Sequence, residues 1–188
     1  MENLIELTSK QLNQIENKSA NIGLFIRIAL YTGLRYSSIS NIKFTDIARE
    51  GNHYYINITK MKRQKTTQKV RISKDIYLRI VKHQKQSKYN NFVIEGIYSN
   101  KALSIQYINR ILNYYLKVSC HKLRHTFALV NKLNGTDIDL ISVCLFHKSI
   151  NTTMIYATKA LNLIRLYGRK FINDYILQMK KYVCIMEN

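Results

Sequence analysis

The chain lacks proline altogether, whereas average usage of about 5% would give roughly nine in 188 residues. We draw no function from this absence. Acidic residues are also scarce, with 11 Asp and Glu against 30 Lys and Arg, which gives a formal net charge of +19. Such a one-sided charge favours a polyanionic partner. Nucleic acid is favoured over an anionic membrane, because no basic amphipathic segment stands out as a surface anchor.

Long hydrophobic runs are absent too. No apolar run approaches the roughly 18 residues that a membrane-spanning helix needs. The amino terminus, Met1-Glu2-Asn3-Leu4-Ile5-Glu6, is acidic where a secretory signal would be basic. We therefore expect a soluble intracellular protein, in the cytoplasm or on the nucleoid, with no membrane partner.

Cysteine is limited to Cys120, Cys144 and Cys184. Their number is odd, and they lack the paired close spacing of a zinc site. No disulfide framework is implied, and buried or free thiols in a reducing compartment are favoured. We expect no metal site.

The chain is long enough for one domain with a core, since 46% of its 188 residues are hydrophobic. No internal repeat, low-complexity linker or interior shift of composition marks a domain boundary. The pattern predicts one mainly α-helical domain with a small antiparallel β-sheet, of the α+β class.

Helical periodicity dominates the chain. Thr8-Ser9 is suited to cap a helix through Asn17, and Asn21 to open a second helix that Gly33 ends. Further helices are predicted at 75–86, after Ser104, at 122–134, at 137–145 and over most of 160–184. Residues 54–60 and 69–72 alternate as strands, with a Lys-rich hairpin tip over 61–68 between them.

Three short blocks carry the chemistry. Arg35 ends Thr32-Gly33-Leu34-Arg35, and His121 precedes Arg124 by three residues, so that both share one helix face. His147 and Tyr156 stand nine residues apart. Together they supply what a tyrosine needs to attack a DNA phosphate, namely guanidiniums for the charged oxygens and imidazoles for protons and orientation.

Each block is weak by itself. Arg35 alone would more often be a solvated residue after a helix end, and a lone His-x-x-Arg arises in any basic helix. Most of the 14 tyrosines must be packing or surface residues, but the spacing from His147 and the preceding Thr152-Thr153 pair raise Tyr156 above them. His125 points elsewhere by helical geometry and is expected to be structural.

In this order the blocks resemble the catalytic domain of the tyrosine recombinases, the phage integrase family. The resemblance runs from Leu7-Thr8 to Tyr156, followed by the carboxyl-terminal helix. It implies a single catalytic domain over 1–188, with a core at about 5–160 and a helical segment at about 161–188. A separate amino-terminal clamp domain is expected to be absent.

The resemblance also implies roles for six residues. Arg35 and Arg124 would clamp the phosphate oxygens. His121 would assist proton movement and His147 would hydrogen-bond the scissile phosphate. Tyr156 would be the nucleophile. The general acid would be a hairpin lysine, for which Lys65 in Lys65-Thr66 matches best, with Lys60 and Lys62 as substitutes.

The remaining basic residues of these segments are expected to contact DNA: Lys60, Lys62, Arg63, Lys69, Arg71, Lys122 and Lys148. Two positions depart from the family. Ser38 stands where an acidic residue is common three positions after Arg35, and Phe146 stands where glycine usually precedes His147. With Ser38, the site lacks the acidic side chain that commonly supports it, whereas Arg35 itself is kept. Phe146 is expected to alter the turn or shift His147.

The implied function is a site-specific recombinase or integrase of a mobile element. It would cleave and rejoin double-stranded DNA through a 3′-phosphotyrosyl intermediate, as a homotetramer assembled on DNA. No cofactor, metal or ATP is expected, because the guanidiniums supply the charge that a metal would bring. Two alternatives remain open, a weakened or inactive DNA-binding relative and a type IB topoisomerase-like enzyme. The helix at 160–184 would pack on its own protomer or on a neighbour.

Overall fold

The computed structural model describes residues 4–5, 7–60, 66–96 and 100–186, without the side chains of Thr59, Lys60 and Thr66. Within these ranges the helices are α1 (Ser9–Lys18), α2 (Ala20–Thr32), α3 (Tyr36–Ser40), α4 (Lys74–Gln84), α5 (Ile105–Leu116), α6 (Cys120–Leu133), α7 (Ile138–Cys144) and α8 (Asn151–Met179). The strands are β1 (Ile47–Glu50), β2 (His53–Lys60) and β3 (Thr66–Ile72). The mainly helical fold with a small sheet is confirmed.

The first two helices begin at side-chain caps. Thr8 caps α1, as the sequence predicted, and the structure shows that it forms a reciprocal capping box with Gln11. Ser19 caps α2 by accepting from the Ile22 amide, so this helix begins at Ala20 and not at Asn21. Gly33 ends α2 in the left-handed conformation with a φ of 68°.

The sheet is antiparallel in the order β1-β2-β3. Strand β3 begins at Thr66, three residues before the predicted start, and pairs Arg71 with Tyr55 and Thr66 with Lys60. Strand β1 was not predicted. Alternation gives the sheet a buried face that includes Ile56 and an outer face that carries Arg71.

Helix α2 lies at the centre of the core, since most of its residues are buried, and it packs against α1 and α6. Helix α6 also packs against α8, which places the His121 and Tyr156 blocks side by side. Among the residues that the structure describes, no helix combines the length and apolar character that crossing a membrane requires.

Helix α8 starts at Asn151 and includes Tyr156, well before the predicted start at 160. Its regular geometry is interrupted at Gly168, where φ is 77° and ψ is 159°. Beyond this break the chain packs on its own body, because Tyr175 donates to the Ile5 carbonyl and Gln178 donates to the Leu7 carbonyl. The segment beyond Gly168 therefore has the intramolecular contacts that were one of the two placements considered for this helix.

Candidate active site

Arg124 joins all three sequence blocks. Its side chain is 2% exposed, and one terminal nitrogen donates to the Gly33 carbonyl at 2.7 Å while the other donates to the Leu145 carbonyl at 2.6 Å. A guanidinium has five N–H donors, so three remain for a phosphate. Burial and then the charge of Arg35 lower the pKa of Arg124 to about 10, which still leaves it charged at neutral pH.

Gly33 is required where it stands. A Cβ atom there would lie 2.4 Å from Cδ1 of Phe127 and 2.9 Å from Cδ2 of Leu145. The positive φ also disfavours other residues. The glycine therefore ends α2 and lets the turn approach α6 closely enough for its carbonyl to accept from Arg124.

Arg35 reaches the same site from the start of α3. It is exposed, and its side chain has no hydrogen bond or ion pair with any residue that the structure describes. Its charge is one of the causes, after burial, that lower the pKa values of His121 and His147. Arg35 is therefore close to both histidines and available to a ligand. Ser38 supplies no carboxylate for it.

His147 is fixed at two points. Its backbone amide donates to the Ser142 carbonyl at 3.1 Å. Its Nδ1 lies 2.7 Å from the Thr153 hydroxyl, which is fully buried on α8. This leaves Nε2 for a phosphate oxygen. Thr153 was noted in the sequence only as part of a Thr-Thr pair, and the structure shows what it contacts.

Tyr156 lies on the α8 face that packs against α6, and it is only 2% exposed. Its hydroxyl is 2.6 Å from Nδ1 of His125. Burial raises the pKa of the phenol, and the charge of Arg124 opposes that rise. The predicted nucleophile, Tyr156, thus lies close enough to Arg124 to sense its charge, and its hydroxyl contacts the imidazole of His125.

The expectation that His125 points elsewhere was wrong. Residues four apart also share a helix face, and the His121 and His125 rings stack edge to face with centroids 4.2 Å apart. The spacing of four residues between His121 and His125 was therefore the feature of the sequence that could have predicted that both lie at the site. His125 is the principal site residue that the sequence reasoning missed.

The family model described as "Phage integrase family" matches residues 1–162. This chain belongs to the phage integrase family. The tyrosine recombinase XerH of Campylobacter jejuni is 32% identical in an alignment of 163 residues, which covers 81% of this chain and 44% of that protein. The chain spans about half the length of the curated relatives it matches, from 38% to 56% in six of them.

Solved structures show the same fold. A crystal structure of XerA recombinase superposes with a TM-score of 0.69 at 22% identity, over 90% of this chain and 65% of that chain. XerH bound to its difH substrate in a pre-cleavage complex superposes with a TM-score of 0.64 at 22% identity, over 82% of this chain and 50% of that chain.

Phe146 occupies the family's usual glycine position in a glycine-like conformation. Its φ is 52°, and it follows α7 in a complete Schellman arrangement, in which the Phe146 amide donates to Val143 and the His147 amide to Ser142. For an L-residue this conformation costs about 1–2 kcal/mol. The turn keeps its regular Schellman hydrogen bonds, so the expected alteration of the turn is not seen, and Phe146 instead has a strained backbone conformation.

The DNA-contact predictions fall in three places. Lys122 is half-buried, and its pKa is lowered by burial and then by the charge of Lys159. Lys159 was not among the predicted DNA contacts, although its position three residues after Tyr156 in the sequence places both on one helix face. Lys148 is exposed next to His147.

The outer face of the sheet carries two more of them. Lys69 is ion-paired with Glu50, and Arg71 lies 3.1 Å from Nδ1 of His53. The side chain of Lys60 and the predicted residues Lys62, Arg63 and Lys65 lie outside the described part of the chain.

Proposed function

We propose that this chain is the catalytic domain of a site-specific DNA recombinase that cleaves and rejoins strands through a 3′-phosphotyrosyl intermediate. The observation that carries the proposal is the position of Tyr156, whose hydroxyl meets an imidazole beside a buried arginine. A buried guanidinium with free N–H donors and no carboxylate partner among the described residues suits a phosphate oxygen.

The reaction follows from the roles of the side chains. The Tyr156 oxygen attacks the phosphorus in line, and the bond to the 5′ oxygen breaks. Arg35 and Arg124 stabilise the added charge on the non-bridging oxygens. His147 donates to one of these oxygens from Nε2. Lys65 protonates the departing 5′ oxygen.

Rejoining needs no external energy source in this scheme. The phosphotyrosyl bond keeps the energy of the phosphodiester, so attack by a new 5′ hydroxyl reseals the strand. The two arginines supply the positive charge that a metal would otherwise bring.

Double-stranded DNA is the proposed partner. The net charge of +19 gives the electrostatic attraction. Lys122 and Lys159 are close enough to His125 for their charges to lower its pKa, and Lys148 is exposed next to His147 in the sequence. The related XerH is solved on its difH substrate. Since exchange of strands needs four cleavages, we further propose that protomers assemble as a tetramer on DNA, with exposed Leu161 and Leu166 of α8 available for contact.

A nicked suicide substrate tests the function. Its cleavage releases a short fragment, so that the covalent adduct accumulates and survives SDS. Wild-type protein should give an adduct between a 3′ phosphate and Tyr156, located by peptide mapping. Tyr156→Phe is the matched control, because it keeps the buried ring and removes only the nucleophilic oxygen.

Three outcomes would oppose the proposal. DNA binding without any wild-type adduct would indicate a DNA-binding relative that lacks catalysis. An adduct that persists in Tyr156→Phe would assign the nucleophile elsewhere. Relaxation of supercoiled plasmid by monomeric protein, without exchange of strands between sites, would indicate a type IB topoisomerase-like activity.

A further inference from the structure

We propose that His125 is a catalytic residue that accepts the Tyr156 proton when the phosphodiester is attacked. The inference rests on the function proposed above and deepens it. The sequence had directed attention to His121 for proton movement at the tyrosine. The structure instead places the ring of His125 on the tyrosine oxygen.

The geometry is that of a formed hydrogen bond. Oη of Tyr156 and Nδ1 of His125 are 2.6 Å apart, within the range in which a general base takes a proton directly. The ring centroids of these two residues are 5.5 Å apart and tilted by 56°. Among the residues that the structure describes, His121 makes no hydrogen bond to Tyr156. Its ring instead stacks on His125.

The charges around His125 keep it neutral before substrate binds. Burial is the largest cause that lowers its pKa to about 4. The charged and titratable groups that face it are His121, Lys122 and Arg124 from α6, with Tyr156 and Lys159 from α8. At neutral pH both groups are therefore uncharged. The proposed tautomer has the imidazole proton on Nε2, so that the phenol O–H donates a hydrogen bond to Nδ1.

A bound phosphate changes this balance. Its negative charge among Arg124, Lys122 and Lys159 offsets the cations that disfavour an imidazolium. The basicity of His125 therefore rises at the moment when the phosphodiester is in place. Tyr156 remains a protonated, unreactive phenol until then, which limits attack to bound DNA.

The step is balanced. The bond from Oη of Tyr156 to phosphorus forms, and the bond from phosphorus to the 5′ oxygen breaks. The phenol proton moves to Nδ1 of His125, which becomes an imidazolium, and the 5′ oxygen takes a proton from the general acid. In the rejoining step His125 returns its proton to the departing Tyr156 oxygen.

The test is the single-turnover rate of adduct formation on the suicide substrate across pH, with saturating protein. The variants are His125→Gln, which keeps a hydrogen-bond acceptor without a base, and His125→Ala with and without added imidazole. General-base removal costs about 10²-fold or more, so His125→Gln should cleave at least about 100-fold more slowly. DNA affinity should change by less than about threefold.

Three readouts separate proton transfer from mere packing. The wild-type rate should level off as pH rises, whereas the His125→Gln rate should keep climbing towards ionisation of the phenol. His121→Gln, a matched change one turn away, should keep the wild-type shape of the profile. Added imidazole should raise the cleavage rate of His125→Ala at least about tenfold. This increase should be proportional to the concentration of unprotonated imidazole.

A substrate with a 5′ bridging sulfur separates the base from the acid. A thiolate leaves without protonation, so this substrate should restore a general-acid variant such as Lys65→Ala and leave the defect of His125→Gln in place. Restoration of His125→Gln by the sulfur substrate would overturn the proposal, because His125 would then act on the leaving group.

The remaining outcomes are also decisive. Wild-type cleavage with an unchanged rate in His125→Gln would overturn this inference and leave the proposed function intact. A slow His125→Gln with an unaltered pH profile, together with no imidazole rescue of His125→Ala, would assign a structural role to His125. No wild-type adduct would overturn the proposed function, and this inference with it.

Discussion

Arg124 donates a hydrogen bond of 2.7 Å to the carbonyl of Gly33, a residue 91 positions earlier in the chain. The bond lies in the core, where an unpaired carbonyl costs about 1–3 kcal/mol. Arg124 is therefore part of the proposed phosphate site, and its hydrogen bond also connects α6 to the end of α2. Arg35, in contrast, is exposed.

This difference predicts that lysine substitutions of the two arginines will separate stability from activity. Arg124→Lys loses the planar fork that serves two carbonyls, so its free energy of unfolding should fall by about 2 kcal/mol or more. Arg35→Lys should stay within about 0.5 kcal/mol of wild type. Both should lose about 100-fold in adduct formation. Urea unfolding and the suicide-substrate assay measure the two effects, and equal stabilities would contradict the structural role of Arg124.

Gly33→Ala should destabilise the fold strongly. The added Cβ would meet Phe127 at 2.4 Å, so an overpacking cost of about 1–3 kcal/mol adds to the conformational cost of about 1–2 kcal/mol. Gly51→Ala is the matched control, because its φ is also positive, at 58°, and nothing lies within 4 Å of its Cβ. The difference between the two unfolding free energies measures the contact with Phe127, and no difference would argue against the close approach.

Thr153→Val should slow adduct formation by about tenfold to 100-fold, with little change in DNA affinity. The substitution keeps the shape of the buried side chain but removes the hydroxyl that contacts His147 at 2.7 Å, and small displacements of catalytic groups cost up to about 100-fold. Thr153→Ser should recover most of the rate. If serine were as slow as valine, the hydroxyl would not be the cause.

Phe146→Gly should leave the cleavage rate within about threefold of wild type. The position of His147 depends on the Ser142 carbonyl and the Thr153 hydroxyl, and neither bond uses the Phe146 side chain. Glycine also adopts the observed φ of 52° without strain. A change of more than tenfold in single-turnover cleavage would show that the aromatic side chain itself controls the histidine.

Stability should fall as pH falls from about 6.5 to about 4, and His125 should account for part of that loss. Its folded pKa, about 4, lies below the ordinary value of about 6.5. In that window the unfolded chain binds a proton here that the folded chain does not, so acid favours unfolding. Urea midpoints at pH 7 and pH 5 should differ less in His125→Gln than in wild type. Equal differences would contradict the depressed pKa.

Local patterns in the sequence were sufficient for much of the fold. Thr8 and Ser104 cap the helices they were expected to cap, and Gly33 ends α2. Such features depend on a few neighbouring residues, so sequence alone reveals them. The starts of α2 and β3 were displaced by one and three residues, because Ser19 offered a competing cap and pairing with Lys60 extends the strand.

The sequence by itself determined the family-like order of Arg35, His121, Arg124, His147 and Tyr156, and the basic character of the surface. Only the tertiary structure decided which groups meet. His125 reaches Tyr156 across 31 residues because α6 packs against α8, and Arg124 finds its carbonyls in two distant turns. Periodicity assigns a residue to a helix face, but only the packing of helices decides what that face touches.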